Sequence, residues 1–418
     1  MFPFLGCPVK IHSNTESVKI NVRDKETKEI REIKLLDYVS EKCPSLVGKN
    51  AVYYPTLWLP NGHLQTAYAA YANFSGIHLI NYERQFVETP DGGQIAVDWT
   101  PPVSQKPFDN TPTIVVLHGL TGGSHESYIR CLLEVLITPP NNYRAVVINF
   151  RGCAESQITS PRLYSAGVTD DLRTCLRYVQ KCIPDSPLIA VGFSMGANIL
   201  IKANIPNYNF ANSCFLSENA PLIAAVSVGN PFELVGGSKA LSRTYLGKYV
   251  YSPSMANNLK ICLKRHEHIM KQDNRISIPH AMSSYSLREF DSRLTSKCFG
   301  FETVDHYYRD ASSYFYITKV RVPLLCLNAE DDPIVPVDCL PFDEIIYNPN
   351  CILATTRYGG HLGWFTGFRS LTRWCIKPLS EFCIAIFEAN DPSAGSRTIL
   401  EQREDTSSNE GSTVVDGN

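Results

Sequence analysis

The 418-residue sequence predicts an α/β fold: a mostly parallel central sheet flanked by helices, with a helical insertion late in the chain. Two observations predict it. Short, uninterrupted apolar runs recur along the chain, which suits strands covered on both faces, whereas a half-exposed strand would alternate apolar and polar residues. Helical patterns separate those runs, and strand, helix, strand, helix in that order builds a parallel sheet.

Taken in order, residues 1–80 read as a polar arm that packs on the core rather than folding alone. It includes a charged stretch at 22–36 and the segment Tyr54-Pro55-Thr56-Leu57-Trp58-Leu59-Pro60-Asn61-Gly62-His63. Residues 81–389 form the main domain. Its first strands, 84–89 and 94–99, are joined by Asp91-Gly92-Gly93 and read as a hairpin. The runs Ile114-Val115-Val116-Leu117, Ala145-Val146-Val147-Ile148 and Leu188-Ile189-Ala190-Val191 are the buried strands. Between them, 128–136 and 168–182 read as helices, the second carrying Asp170 and Asp171 at its positive N-terminal end. Further strands are expected at 224–228, 323–327 and 352–356. From 231 to about 316 a long, mostly helical, charged segment interrupts the alternation, and it is expected to form a lid over the site. Beyond Ala389 almost no apolar residues remain, so 390–418 is expected to be a disordered tail.

Bulk properties exclude several functions. The formal net charge is -2, from Lys+Arg 39 against Asp+Glu 41. Its basic residues are dispersed, so nucleic acid is not expected as a partner. The 14 cysteines stand singly, with no CxxC pair and no Cys/His spacing for zinc, so no metal site or cofactor is expected and buried free thiols are. No basic leader precedes an apolar stretch, and no run of eighteen apolar residues occurs. The expectation is a cytoplasmic protein of a reducing compartment, with peripheral contact to an intracellular membrane or lipid droplet left open. The triplet Asn73-Phe74-Ser75 matches a glycosylation sequon, a pattern that arises often by chance.

The chemistry is carried by Gly192-Phe193-Ser194-Met195-Gly196, which follows the strand at 188–191 and opens a helix at 197–203. This is G-x-S-x-G in the strand-to-helix context of a nucleophile elbow, where glycines two residues either side permit a strained turn that exposes the serine hydroxyl. A serine hydroxyl is a weak nucleophile at neutral pH. It needs a base to take its proton and a third group to orient that base, in the chain order serine, acid, histidine. Asn328-Ala329-Glu330-Asp331-Asp332-Pro333-Ile334-Val335-Pro336 follows an apolar strand and supplies the acid. The Asp-x-Ile-Val-Pro spacing favours Asp332 over its neighbour Asp331. His361, in Tyr358-Gly359-Gly360-His361-Leu362-Gly363-Trp364, is the histidine that follows the acid in a glycine-rich loop and precedes a terminal helix.

An oxyanion would need preorganised donors, expected from the backbone amides of Met195 and of Leu120, the latter in the loop Leu117-His118-Gly119-Leu120-Thr121. His118 is read as shaping that loop. The His268 and Asp273 pair matches an H-x4-D spacing, but ten histidines among many aspartates make such a match nearly expected, and an exposed helix is the reading adopted.

Taken together, Asn61-Gly62-His63-Leu64-Gln65-Thr66, His118-Gly119, Arg151-Gly152-Cys153, the elbow, Asp331-Asp332-Pro333 and Gly359-Gly360-His361-Leu362-Gly363 resemble the AB hydrolase 4 family of the α/β-hydrolase superfamily. That family includes bacterial esterases, animal α/β-hydrolase domain proteins and fungal medium-chain fatty acid ethyl ester synthases/esterases. The resemblance spans roughly residues 50–385. It implies the α/β-hydrolase fold, a triad of Ser194, Asp332 and His361, and a small-molecule lipid substrate such as a monoacylglycerol or fatty ester. Animal members carry an N-terminal membrane anchor, for which this sequence shows no counterpart. The segment 61–66 is taken to close one wall of the pocket. Two other readings stay open: a silent fold serving as a binding protein, and a thioesterase or amidase using the same triad.

Overall fold

The computed structural model describes residues 6–23, 29–203 and 221–390, so nearly all of the expected tail lies outside the described residues. Nine described strands form the central sheet: β1 (Lys10–Ser13), β2 (Glu83–Glu88), β3 (Gln94–Thr100), β4 (Thr113–Leu117), β5 (Arg144–Asn149), β6 (Leu188–Phe193), β7 (Leu222–Val228), β8 (Leu324–Ala329) and β9 (Cys351–Thr356). Their order across the sheet is β1-β9-β8-β7-β6-β4-β5-β3-β2. Strands β4 to β9 are mutually parallel; at the edges β1 pairs antiparallel with β9, and β3 pairs antiparallel with both β5 and β2. The fold is the α/β-hydrolase fold. Strand β1 was not foreseen, because a four-residue strand with a polar sequence has no periodicity to reveal it.

Successive residues of each central strand serve opposite cores. Val115 and Leu117 of β4 pack on one side of the sheet, and Ile114 and Val116 on the other. The first side is covered by α4 (Asp170–Cys182) and α5 (Met195–Lys202), the second by α3 (Ser127–Ile137) and the terminal α9 (Ile376–Ala389). Full burial of each such side chain contributes roughly 1.5–3 kcal/mol, which is why these runs are continuously apolar. The chain leaves β4 toward α3 and leaves β6 toward α5, on opposite faces. The crevice at the C-terminal ends of β4 and β6 is therefore a topological switch point, where open α/β sheets bind ligands.

Between β7 and β8 the described chain is helical. It includes α6 (Leu234–Arg243), a π-helical turn at Gly247–Tyr251, α7 (Ser252–Arg265) and α8 (Val304–Ala311). In the arm, α1 (Leu35–Lys42) packs on α9, and α2 (Gly62–Tyr71) reaches the C-terminal end of the sheet. All thirteen described cysteines are free thiols.

The Arg151 motif has a structural explanation. Its side chain is 2% exposed and forks onto two carboxylates, Asp171 (2.7 Å from Nε) and Asp91 (2.7 Å from Nη1). Ser160 and Thr89 hydroxyls complete the shell. Burial alone would raise the Asp91 carboxyl pKa, but the Arg151 and Thr89 hydrogen bonds outweigh it and hold it well below the ordinary range. Replacing Arg151 with Met keeps the volume and strands both acids, so it is expected to cost about 3 kcal/mol. That is the low end for a broken buried pair, because the acids keep some water. A depressed carboxyl contributes stability that is fully present above the unfolded pKa of about 4 and is lost as pH falls through the folded value. Urea melts of wild type and Arg151→Met should therefore converge on acidification; a pH-independent gap would contradict the ion-pair account.

Candidate active site

The elbow is strained where the motif predicts strain. Ser194 has φ 51° and ψ −119°, a backbone that an L-residue holds only under constraint. Its N–H donates to the Val228 carbonyl at 2.8 Å, tying the turn to β7. A Cβ on Gly192 would lie 2.5 Å from the Cα of Ala197, and one on Gly196 would lie 2.5 Å from the His118 carbonyl oxygen. Any side chain at either position would push the turn off the sheet.

The side chains named from sequence converge. His361 Nε2 lies 2.8 Å from Ser194 Oγ, and His361 Nδ1 lies 2.7 Å from Asp332 Oδ2. The Asp332 side chain is fully buried, and its other oxygen accepts from the Ile334 and Val335 amides at 2.8 and 3.0 Å. With both oxygens committed, the carboxylate is locked and accepts from Nδ1–H, which leaves Nε2 as the acceptor facing the hydroxyl. Asp331 points elsewhere. Its Oδ1 accepts from the Gly360 amide at 2.9 Å, and its Oδ2 is buried without a hydrogen-bond partner among the described residues. Burial pushes the Asp331 carboxyl up to about 6.

The histidine loop is held by a helix whose contribution sequence reasoning had only partly described. The His361 amide donates to Thr66 Oγ1 at 2.8 Å, and Thr66 in turn donates to the Gly62 carbonyl at 2.7 Å. Gln65 accepts from the Phe365 amide and donates to the Leu59 carbonyl. Asn61 caps α2 by accepting from the Leu64 amide. Gly62 is required because a Cβ there would lie 1.9 Å from the Asp331 carbonyl oxygen. The segment 61–66 thus lines the cleft and also braces the His361 backbone. A pattern of polar residues at the start of a helix carries no sign of a partner some 300 residues away.

Met195 and Leu120 both line the Ser194 cleft, at the helix start of α5 and in the loop after β4. The amides beside Leu120 are committed elsewhere: Gly119 N–H donates to the Tyr128 hydroxyl and Thr121 N–H to the Tyr164 hydroxyl. His118 shapes the loop. It is fully buried, bonds the Gly119 carbonyl through Nδ1 and accepts from the Phe150 amide at Nε2, and burial lowers its pKa to about 4, so it is neutral. His268 is exposed, and Asp273 pairs with Arg275 at 2.7 Å.

Two cavities meet at Ser194, sharing Leu120, Met255 and Ile334 in their walls. One, of about 310 Å³, runs under the helical segment and is walled by side chains such as Met195, Leu234, Leu241, Leu259 and Tyr307. The other, of about 770 Å³, includes His361, His63, Thr121, His125 and Tyr251. No group of metal-ligating side chains occurs among the described residues.

The fold is that of the α/β-hydrolase class, and the comparisons agree. Residues 112–203 match the family model described as the alpha/beta hydrolase fold. A monoacylglycerol lipase of Saccharomyces cerevisiae is 34% identical, covering 86% of this chain and 86% of its own. The human phospholipase ABHD3 is 32% identical over 79% of this chain and 77% of its own. The S. cerevisiae medium-chain fatty acid ethyl ester synthase/esterase 2 is 28% identical over 88% and 92%. The chain belongs to the α/β-hydrolase superfamily, within the lipase and esterase group that these relatives represent.

Proposed function

We propose that this protein is a serine carboxylic ester hydrolase that forms an acyl-enzyme on Ser194. The observation that carries the reading is the continuous chain from Asp332 through His361 to the Ser194 hydroxyl, at 2.7 and 2.8 Å. His361 takes the hydroxyl proton as Ser194 attacks the ester carbonyl, and the Met195 and Leu120 amides receive the oxyanion. His361 then protonates the departing alcohol and afterwards activates water for deacylation. If an alcohol replaces water, the same steps make an ester.

The proton transfers assign the two cavities. The leaving alcohol must meet His361, so it departs through the larger cavity, which His361 borders. The acyl chain then occupies the smaller, apolar cavity, with the helical segment as its lid. A monoacylglycerol or a medium-chain fatty ester fits this division. Support for lipid esters comes from the relatives, which include a monoacylglycerol lipase, a phospholipase and a medium-chain fatty acid ethyl ester synthase/esterase. The test is a hydrolysis panel over acyl length and headgroup, with matched ester, thioester and amide substrates. Esters of medium or long chain should turn over fastest; faster thioesters or amides would reassign the class, and turnover of none would favour a silent fold.

Thr66 supplies a finer test. Thr66→Val removes the acceptor for the His361 amide while keeping the shape, and is expected to lower kcat about tenfold through misplacement of the base. KM should stay near wild type, and Thr66→Ser should restore kcat. A loss in Thr66→Val that Thr66→Ser fails to rescue would point to packing instead.

A further inference from the structure

The lid carries a surface that the ester-hydrolase reading does not use. From Leu234 to His266 the chain contains six basic residues, Lys239, Arg243, Lys248, Lys260, Lys264 and Arg265, and no acidic one. Lys264 pairs with Glu267 at 2.6 Å, whereas Lys239, Arg243, Lys248 and Arg265 are exposed and have no carboxylate within ion-pair distance among the described residues. Interleaved with them are large apolar side chains left in water: Tyr245 is 76% exposed, Tyr249 48% and Ile261 53%, with Leu246 and Val250 beside them.

This composition is placed at the cleft mouth. Leu246, Val250, Ile261 and Arg265 border the larger cavity, and so do Leu64 and Tyr71 of α2 from the opposite rim. The two rims touch, through His63 stacked on Tyr251 and the Tyr71 hydroxyl 3.0 Å from Ser254 Oγ. An exposed apolar patch rimmed by charges marks an interaction site. Tyrosine and long basic side chains suit a bilayer interface in particular, since each pairs an apolar body with a polar tip that remains among headgroups. Exposed basic residues outside ion pairs add attraction to anionic lipid.

We propose that the lid face around residues 239–265 docks this protein on an anionic lipid surface, with the mouth of the larger cavity turned toward the lipid. Apolar side chains at 245, 246, 249, 250 and 261 enter the headgroup boundary, and Lys239, Arg243 and Arg265 meet the phosphates. A lipid ester would then pass from the membrane into the cleft without crossing bulk water. The inference goes beyond the triad, because docking requires no catalysis.

The test is vesicle flotation of the full chain with phosphatidylcholine vesicles, with and without phosphatidylserine. Wild type should bind the phosphatidylserine vesicles, and added salt should weaken that binding. Arg243→Glu is expected to weaken it about tenfold while leaving neutral vesicles unaffected. Tyr245→Ser with Tyr249→Ser should weaken binding to both, about tenfold or more. Both variants should keep wild-type rates on a water-soluble short-chain ester, which shows that they are folded. Because Ser194→Ala should still bind, loss of the triad reading and loss of this one are separable. Wild type that ignores both vesicles, or binds them equally with and without the substitutions, overturns the proposal. So does wild type that pairs with a second copy through this face, with the tyrosine variant monomeric and no vesicle binding.

Discussion

Ser194→Ala is expected to lower ester turnover by about a million-fold, the loss that removal of a nucleophile causes in a concerted triad. The size of the effect follows from geometry. The alanine keeps the strained elbow, since its Cβ occupies the position of the serine Cβ at φ 51°, so the fold and both cavities persist. What disappears is the hydroxyl oxygen that His361 Nε2 faces at 2.8 Å. His361 could still activate water, and the Met195 and Leu120 amides could still meet an oxyanion, which leaves a residual rate about 10³–10⁴-fold above water. The measurement is kcat on the best ester of the panel, beside a thermal melt to show an intact fold. A variant that retains a tenth of wild-type turnover would remove Ser194 from the chemistry.

Asp332→Asn is expected to cost about 10⁴-fold in kcat, while Asp331→Asn costs only a few-fold. The two residues are adjacent and chemically identical, so the contrast isolates position. An amide at 332 would still accept from the Ile334 and Val335 amides through its oxygen, but would present NH₂ to His361 Nδ1. The imidazole would then have to carry its proton on Nε2, the wrong tautomer for accepting the serine proton. At 331 the amide oxygen can still accept from Gly360, and no charge is needed there. Removing that charge has a signature of its own. The Asp331 carboxyl, raised to about 6 by burial, binds more protons folded than unfolded between its ordinary value of about 4 and its folded one. Stability therefore falls as pH rises through that window, and Asp331→Asn should be most favoured relative to wild type above pH of about 6. Steady-state kinetics and melts at two pH values check both halves, and a reversed kinetic ranking would assign the acid to Asp331.

The parts of this fold that were legible in sequence are those where one local rule decides. Strands β4, β5 and β6 are apolar on both faces because both are covered, so their runs announce them. The elbow was legible because only glycine tolerates the approaches at positions 192 and 196. His361 stood out through the glycines around it, and Gly359 and Gly360 do take φ 151° and 59°. What was not legible depends on distant partners. Strand β1 exists because β9 offers an edge, and its own sequence, Lys10-Ile11-His12-Ser13, carries no strand signal. The bond from the His361 amide to Thr66 joins residues 295 positions apart. The choice between Asp331 and Asp332 is a matter of which side chain a turn aims inward, and motif spacing could favour one without showing the other's bond to Gly360.

The most direct measurement is mass spectrometry of the protein quenched during turnover of a slowly deacylated ester. A mass increase equal to the acyl group, localised to the peptide containing Ser194 and absent from Ser194→Ala, is the result this account requires. Rapid hydrolysis with no covalent adduct, or an adduct on another residue, would contradict it.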